Sequence, residues 1–170
     1  MRADLARFPD AVPRAAFLVL LAASVAILGA AFAFQLIGGL RPCELCIWQR
    51  YPYAVTIGLA GIGLGLARAR ADRRLLAVIL LLCAAAFVTG AGIAAFHVGV
   101  EQTWWSGSDA CVGGVSGAGT IEELRRRLEA APVVRCDEIA WSLFGISMAG
   151  YNLLLSAALA VASLAAARRL

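Results

Sequence analysis

The chain has 170 residues and no lysine; all fifteen of its basic residues are arginine. It has one histidine, and only 15% of its residues are charged. A soluble domain averages about 25% charged residues and about 45–50% apolar ones. Here 62% are hydrophobic and the mean hydropathy is +0.83. That much apolar surface cannot be hidden inside a globule of this size, so an ordinary water-soluble domain is excluded and much of the chain is expected in lipid. The net charge of +4 does not point to nucleic acid, and no nucleic-acid partner is expected. The arginines form no stripe with interleaved aromatics. They stand at the ends of apolar runs, where membrane topology rules put them.

What the sequence does have is long uncharged runs. A bilayer core of about 30 Å needs about 20 apolar residues of helix. Ala15 to Ile37 has no charge in 23 residues, Tyr51 to Ala67 none in 17, and Leu143 to Ala167 none in 25. Leu75 to Val100 is also uncharged, with His97 as its only titratable group. The runs are continuous rather than alternating, so they read as helices and not as barrel strands. The expectation is an all-α membrane protein of one domain, a four-transmembrane-helix bundle with spans at about 15–37, 47–67, 75–98 and 143–167. A short external loop, 38–50, and a long one, 99–142, join them. Ala31-Phe32-Ala33 loosely resembles a signal cleavage site, but the apolar stretch before it is longer than the 7–15 residues or so of a signal peptide.

Arginine placement gives an orientation. The N-terminus carries Arg2, Arg7 and Arg14, the loop between the second and third spans carries Arg68, Arg70, Arg73 and Arg74, and the C-terminus ends in Arg168 and Arg169. Four spans put these segments on one side, expected to be cytoplasmic, with both remaining loops opposite. The long loop holds Arg125, Arg126, Arg127 and Arg135, and Glu122, Glu123 and Glu129 balance most of that charge. Within it, Thr120-Ile121-Glu122-Glu123 resembles a capped helix start, and Ile121, Leu124 and Leu128 recur at helical spacing. This reads as a surface helix, either solvated or lying on the bilayer.

The topology sorts the five cysteines. Cys43 and Cys46 fall in the short external loop, Cys111 and Cys136 in the long one, and Cys83 inside the third span. Four cysteines in an oxidising compartment point to disulfides, which could be structural staples. The Cys-x-x-Cys spacing favours redox chemistry, because the small ring opens and closes readily and the motif tends to lower one thiol pKa. Cys43-Glu44-Leu45-Cys46 stands at a predicted helix N-terminus, whose unpaired N–H groups favour a thiolate. Arg50 follows Cys46 by four residues, one turn deeper if the segment is helical, where its charge would favour the thiolate and stabilise a reduced acceptor. Pro52 removes a helical hydrogen bond to residue 48, so the helix kinks there or begins later.

Cys111 and Cys136 have 24 residues between them, and Val112-Gly113-Gly114-Val115-Ser116-Gly117 reads as flexible. A disulfide there serves equally as a shuttle or a staple, and four cysteines allow three pairings. Four cysteines also suit zinc, but only one pair has short spacing and no His lies in either external loop, so no metal is expected. Cys83 reads as a small packed residue. His97, near the external end of the third span, is either a satisfied interface residue or a partner of Arg50 in binding a quinone head group, whose two carbonyl oxygens need donors.

The segment Pro42-Cys43-Glu44-Leu45-Cys46-Ile47-Trp48-Gln49-Arg50 resembles the Pro-Cys-x-x-Cys block of the DsbB family of disulfide bond formation proteins, with its Arg four residues on. Residues 136–148, from Cys136 into the fourth span, are similar to that family's last-cysteine stretch, and His97 resembles its His at the end of the third helix. The resemblance covers four helices and both external loops. It implies a thiol oxidase of the bacterial inner membrane, termini cytoplasmic and redox loops periplasmic. A reduced periplasmic DsbA-like thioredoxin-fold protein would attack Cys111 of a Cys111–Cys136 disulfide. Cys136 would then exchange with Cys43–Cys46 at Cys43, and two electrons would pass from Cys46 and its partner to a membrane quinone, ubiquinone rather than menaquinone. A relay of this kind is what keeps a bacterial periplasm oxidising. Arg50 and His97 are the implied quinone-binding residues. Two other readings compete: a vitamin K epoxide reductase-like enzyme, in which the Cys-x-x-Cys follows the other pair rather than preceding it, and a non-catalytic scaffold stapled by two disulfides.

Overall fold

The computed structural model describes residues 8–108, 111, 120–122, 125 and 134–170. Each apolar run becomes a long helix: α1 is Phe8–Leu36, α3 is Arg50–Arg68, α4 is Arg73–Glu101 and α5 is Met148–Ala167, with a short helix α2, Glu44–Trp48, before α3. Three of them, α1, α4 and α5, are long and apolar enough to cross a membrane. The 19 residues of α3 span about 28 Å at 1.5 Å per residue. Its glycines, Tyr51 and Tyr53, and an arginine at each end make it the least apolar of the four.

The element limits differ from the sequence reading where local chemistry intervenes. α1 begins before Ala15, with Pro13 inside its first turns. The second helix is interrupted. Pro52 has no N–H to donate to the Trp48 carbonyl, so the helix is interrupted at Gln49, which keeps helical dihedrals and donates its N–H to the Leu45 carbonyl, and the Cys-x-x-Cys segment sits on its own short helix. The last helix starts at Met148 instead of Leu143. Residues 142–143 pair antiparallel with 146–147 across Phe144 (φ 50°) and Gly145 (φ 78°), the two left-handed residues a tight hairpin turn requires. Ser147 then caps α5, its Oγ accepting the Gly150 N–H at 3.1 Å. The surface helix read at Thr120–Glu123 with Leu124 and Leu128 lies for the most part outside the described residues, and the glycine-rich stretch 112–117 lies wholly outside them.

α4 packs along α5 and α3, and α3 packs along α1. Arg14 near the start of α1 donates to the Ala67 carbonyl at the end of α3, and Arg50 at the start of α3 donates to Gln35 at the end of α1, so these helices are antiparallel. Phe17, Leu20, Tyr53, Leu64, Leu80, Cys83 and Phe87 fill the shared core. Close approach of α1 and α3 depends on Gly63, where an added Cβ would lie 2.3 Å from the Phe17 ring. Polarity runs opposite to that of a soluble bundle. Ser24, Thr56, Ser156 and Ser163 are fully buried, while Val19, Val25, Val55, Ile62, Val88 and Val161 face outward. Such a surface suits hydrocarbon, and the inward hydroxyls of Thr56 and Ser163 bond to carbonyls of their own helices.

Candidate functional site

Cys43 is the N-cap of α2, and its sulfur accepts the backbone N–H of Cys46 at 3.2 Å. The short helix exists to close this turn: the side chain of its cap and its first donor are the two halves of the Cys-x-x-Cys motif. Both cysteines are thiols here, Cys43 buried and Cys46 half-buried. The hydrogen bond between the two side chains splits their acidities. It lowers the Cys46 thiol to about 7, helped by the Cys43 backbone and by the Arg50 charge against the opposing effect of burial. The same hydrogen bond, with burial, pushes the Cys43 thiol far up. The reduced pair therefore shares one proton near neutrality, held on Cys43, with the negative charge on Cys46.

Cys111 and Cys136 form a disulfide, and the Cys136 N–H donates to the Cys111 carbonyl at 3.1 Å. The bond is fully buried, and it packs with Cys43 and Val100 in one cluster that Leu45, Cys46 and Val134 flank. Residues more than 60 positions apart in the chain thus place both sulfur pairs in a single apolar nest.

His97 joins the pairs. Its Nε2 lies 3.6 Å from the Cys43 sulfur, its Nδ1 lies 2.8 Å from the Gln49 amide nitrogen, and the ring also reaches the Cys136 backbone. The ring is buried, and Glu101, one turn further along α4, sits 3.9 Å from Nε2. Glu101 in turn accepts the Ser147 hydroxyl at 2.5 Å. Beyond Gln49 the polar chain continues into the bundle: Asn152 donates to the Gln49 oxygen, Tyr53 donates to Asn152, and the Tyr53 and Ser156 hydroxyls are 2.8 Å apart.

Next to the sulfurs a cavity of about 220 Å³ opens between α1, α3 and α5. Ile27, Leu28, Ala31, Phe34 and Leu155 give it apolar walls, and Cys46, Arg50, His97 and Gln35 stand at one end. Arg50 is fixed there by its hydrogen bond to Gln35 at 2.7 Å and by the Phe32 ring 4.9 Å beneath the guanidinium. An apolar slot with convergent donors at one end suits a flat molecule that carries oxygens on an apolar body.

All six residues singled out in the sequence lie around this one site. Cys43 and His97 face the second sulfur pair, and Cys46 and Arg50 face the cavity, which His97 and Cys43 also line. Gln49, Glu101 and Asn152 were not singled out. Glu101 stands one helical turn after His97, and Asn152 is a lone amide in an apolar run, the kind of intramembrane polar residue that marks a contact.

A sequence profile described as "Disulfide bond formation protein DsbB" matches residues 13–166. Proteins named Disulfide bond formation protein B are similar to the chain: one from Verminephrobacter eiseniae is 32% identical over 162 residues, covering 92% of this chain and 86% of that protein. One from Polaromonas is 29% identical over 168 residues, covering 95% and 94%. Disulfide bond formation protein B 1 of Pseudomonas aeruginosa is 29% identical over 159 residues, covering 86% and 89%. No solved structure matches the chain.

Proposed function

We propose, from the premise that this chain belongs to the DsbB family of disulfide bond formation proteins, that it reoxidises a periplasmic DsbA-like dithiol protein and passes the two electrons to a membrane quinone. The observation that carries the reading is the shared nest: Cys43 belongs to one buried cluster with the Cys111–Cys136 disulfide, while its partner Cys46 lines the adjoining cavity.

The sequence of exchanges balances at every step. A partner thiolate attacks Cys111, the Cys111–Cys136 bond breaks, and Cys136 leaves as a thiolate. Cys136 attacks Cys43 in the Cys43–Cys46 disulfide, and Cys46 leaves. The partner's second thiolate then releases Cys111, which attacks Cys136 and re-forms the outer disulfide, freeing Cys43. The outer pair ends oxidised and the inner pair reduced, the state of the sulfurs in the structure. A low pKa makes Cys46 the better leaving group, which directs attack to Cys43. With Nδ1 accepting the Gln49 amide N–H, the His97 Nε2–H points at Cys43 and steadies the thiolate as it is freed.

The cavity fits a quinone ring: Arg50 and Gln35 supply polar contacts for its oxygens, and the aliphatic walls take its body. A bound quinone supplies the acceptor for two electrons and two protons. Arg50 holds negative charge on Cys46 and at the acceptor end of the cavity. Four spans with cytoplasmic termini, in a bacterial inner membrane, place the sulfurs on the periplasmic side. Arginine placement supports this orientation: Arg68, Arg73, Arg74, Arg168 and Arg169 stand at the end of the bundle away from the sulfurs.

The test is a turnover assay. Purified protein is mixed with a reduced dithiol partner and ubiquinone, or menaquinone in a parallel run, and quinone absorbance is followed. Catalysed loss that disappears in Cys46→Ser is expected. No catalysed loss with either quinone overturns the reading and leaves a disulfide-stapled scaffold.

A further inference from the structure

Spacing along the chain gave no metal site, because no histidine falls in either external loop. The fold supplies one from another direction. α4 carries His97 up to the Cys-x-x-Cys pair, and the sulfurs of Cys43 and Cys46 and a ring nitrogen of His97 lie within 4.8 Å of one another. We propose that Cys43, Cys46 and His97, once the pair is reduced, form a site for a thiophilic divalent cation such as zinc, and that the bound cation arrests the protein in its reduced form.

The geometry is already near what such an ion needs. A tetrahedral zinc with Zn–S near 2.3 Å and Zn–N near 2.0 Å sets its ligand atoms about 3.3–3.8 Å apart. Cys43 Sγ and His97 Nε2 are 3.6 Å apart. The other ring nitrogen is engaged by the Gln49 amide, the outer contact that orients a ligating imidazole. With the ion on Nε2, Nδ1 carries the proton and the amide presents its oxygen. Gln49 can do so because it is tied at its far end to another amide, Asn152, which can donate or accept. Charge also favours a dication. Two thiolates, Glu101 (buried, 3.9 Å from Nε2) and Glu138 outnumber the three arginines among the described residues that line the cavity, Arg41, Arg50 and Arg135. Glu101 Oε1 lies outside this trio, 3.9 Å from Nε2, and the fourth position is left to water.

Binding is ligand exchange. The cation gives up bound waters, the proton that the reduced pair holds on Cys43 passes to solvent, two metal–sulfur bonds and one metal–nitrogen bond form, and no electrons move. Both sulfurs are then committed to the ion, so they cannot close on each other. The arrest rests on the oxidase reading above; the binding does not.

The test uses the full chain in detergent without oxygen, with Co²⁺ as an optical probe. Fully reduced protein is expected to take up one Co²⁺ per chain, with thiolate-to-cobalt charge-transfer absorption that Zn²⁺ abolishes. Protein with the inner disulfide closed should take up none. Cys46→Ser should remove the absorption, and His97→Gln, which keeps an amide facing Gln49, should weaken binding at least tenfold. Cys111→Ser combined with Cys136→Ser should leave it in place. Absence of the absorption, unchanged affinity in His97→Gln, or loss in the outer-pair double variant overturns the site. Zinc inhibition of turnover is scored separately, so a failed oxidase assay with intact cobalt binding counts against the oxidase reading alone.

Discussion

Asn152, in the last helix, donates a hydrogen bond to the side-chain oxygen of Gln49, which stands between the Cys-x-x-Cys helix and α3. This bond ties α5 to the residue that holds His97, so a position remote from the sulfurs in sequence governs the ring beside them. Asn152→Leu leaves the Gln49 oxygen and the Tyr53 hydroxyl without that partner. A buried polar group left unpaired costs about 1–3 kcal/mol, and hydrogen bonds between membrane helices average about 0.6. The expected outcome is a lowered unfolding temperature in detergent together with slower exchange at Cys43. Wild-type values of both would show that the polar chain carries no weight.

Removing Arg50 tests the cavity. The guanidinium is held by Gln35 and Phe32 and favours the Cys46 thiolate. Loss of a charged donor aimed at a reacting centre commonly costs about 10²-fold or more. Arg50→Ala is therefore expected to lower kcat/KM for quinone by about that factor, while disulfide exchange between Cys111–Cys136 and the dithiol partner proceeds. Arg50→Lys should recover only part, because an ammonium cannot both reach Gln35 and lie flat over Phe32. Quinone dependence in Arg50→Ala equal to wild type would remove the assigned role.

The long helices were legible because uncharged runs above about 17 residues have few other fates in a 170-residue chain. The Arg50 position was legible because it follows from short local spacing, whereas the Cys111–Cys136 pairing, 25 positions apart, came only from the family resemblance, since four cysteines allow three pairings. The start of α5 was not, since the apolar run continues unbroken through Leu143 and Phe144, and only the left-handed pair at Phe144 and Gly145 turns the chain before Met148. The break at Gln49 was half legible: Pro52 identified the residue 48 carbonyl as the one left without a donor, but not whether the helix would kink there or begin later. His97 shows the deeper limit. Its nearness to Cys43 is made by packing α4 against the loop that carries the pair, and no spacing in the sequence encodes a contact between residues 43 and 97. Glu101 and Asn152 were hidden for the same reason.

The acidity of Cys46 gives a pH profile. Its thiol is lowered to about 7, first by the Cys43 hydrogen bond, so the reactive thiolate is present above that pH and lost as pH falls through it. Alkylation of the reduced pair by a neutral reagent should rise about tenfold per pH unit on the acid side and level off above about 7. Cys43, whose thiol is pushed up, should react slowly throughout. Arg50→Ala should shift the profile to higher pH, because the arginine charge contributes to the lowering. The check is rapid-quench alkylation with mass spectrometry of each cysteine. A midpoint at the ordinary thiol value of 9.0 would mean that the Cys43 contact does not act on Cys46.

Orientation can be tested with the protein's own cysteines. After mild reduction of intact spheroplasts, a membrane-impermeant maleimide is expected to label Cys46, which is half-buried, from outside. Cys83, fully buried between helices in the core, should stay unlabelled until the protein is unfolded. A cysteine introduced by Ala71→Cys, in the arginine-bearing turn between α3 and α4, should react only after the membrane is opened. The expectation follows from charge. Moving the segment that holds Arg68, Arg70, Arg73 and Arg74 across the bilayer is disfavoured, and the loops it would exchange with carry both arginine and glutamate. Labelling of Ala71→Cys from outside, with Cys46 reactive only from within, would place the sulfurs in a reducing compartment where a disulfide donor has no use.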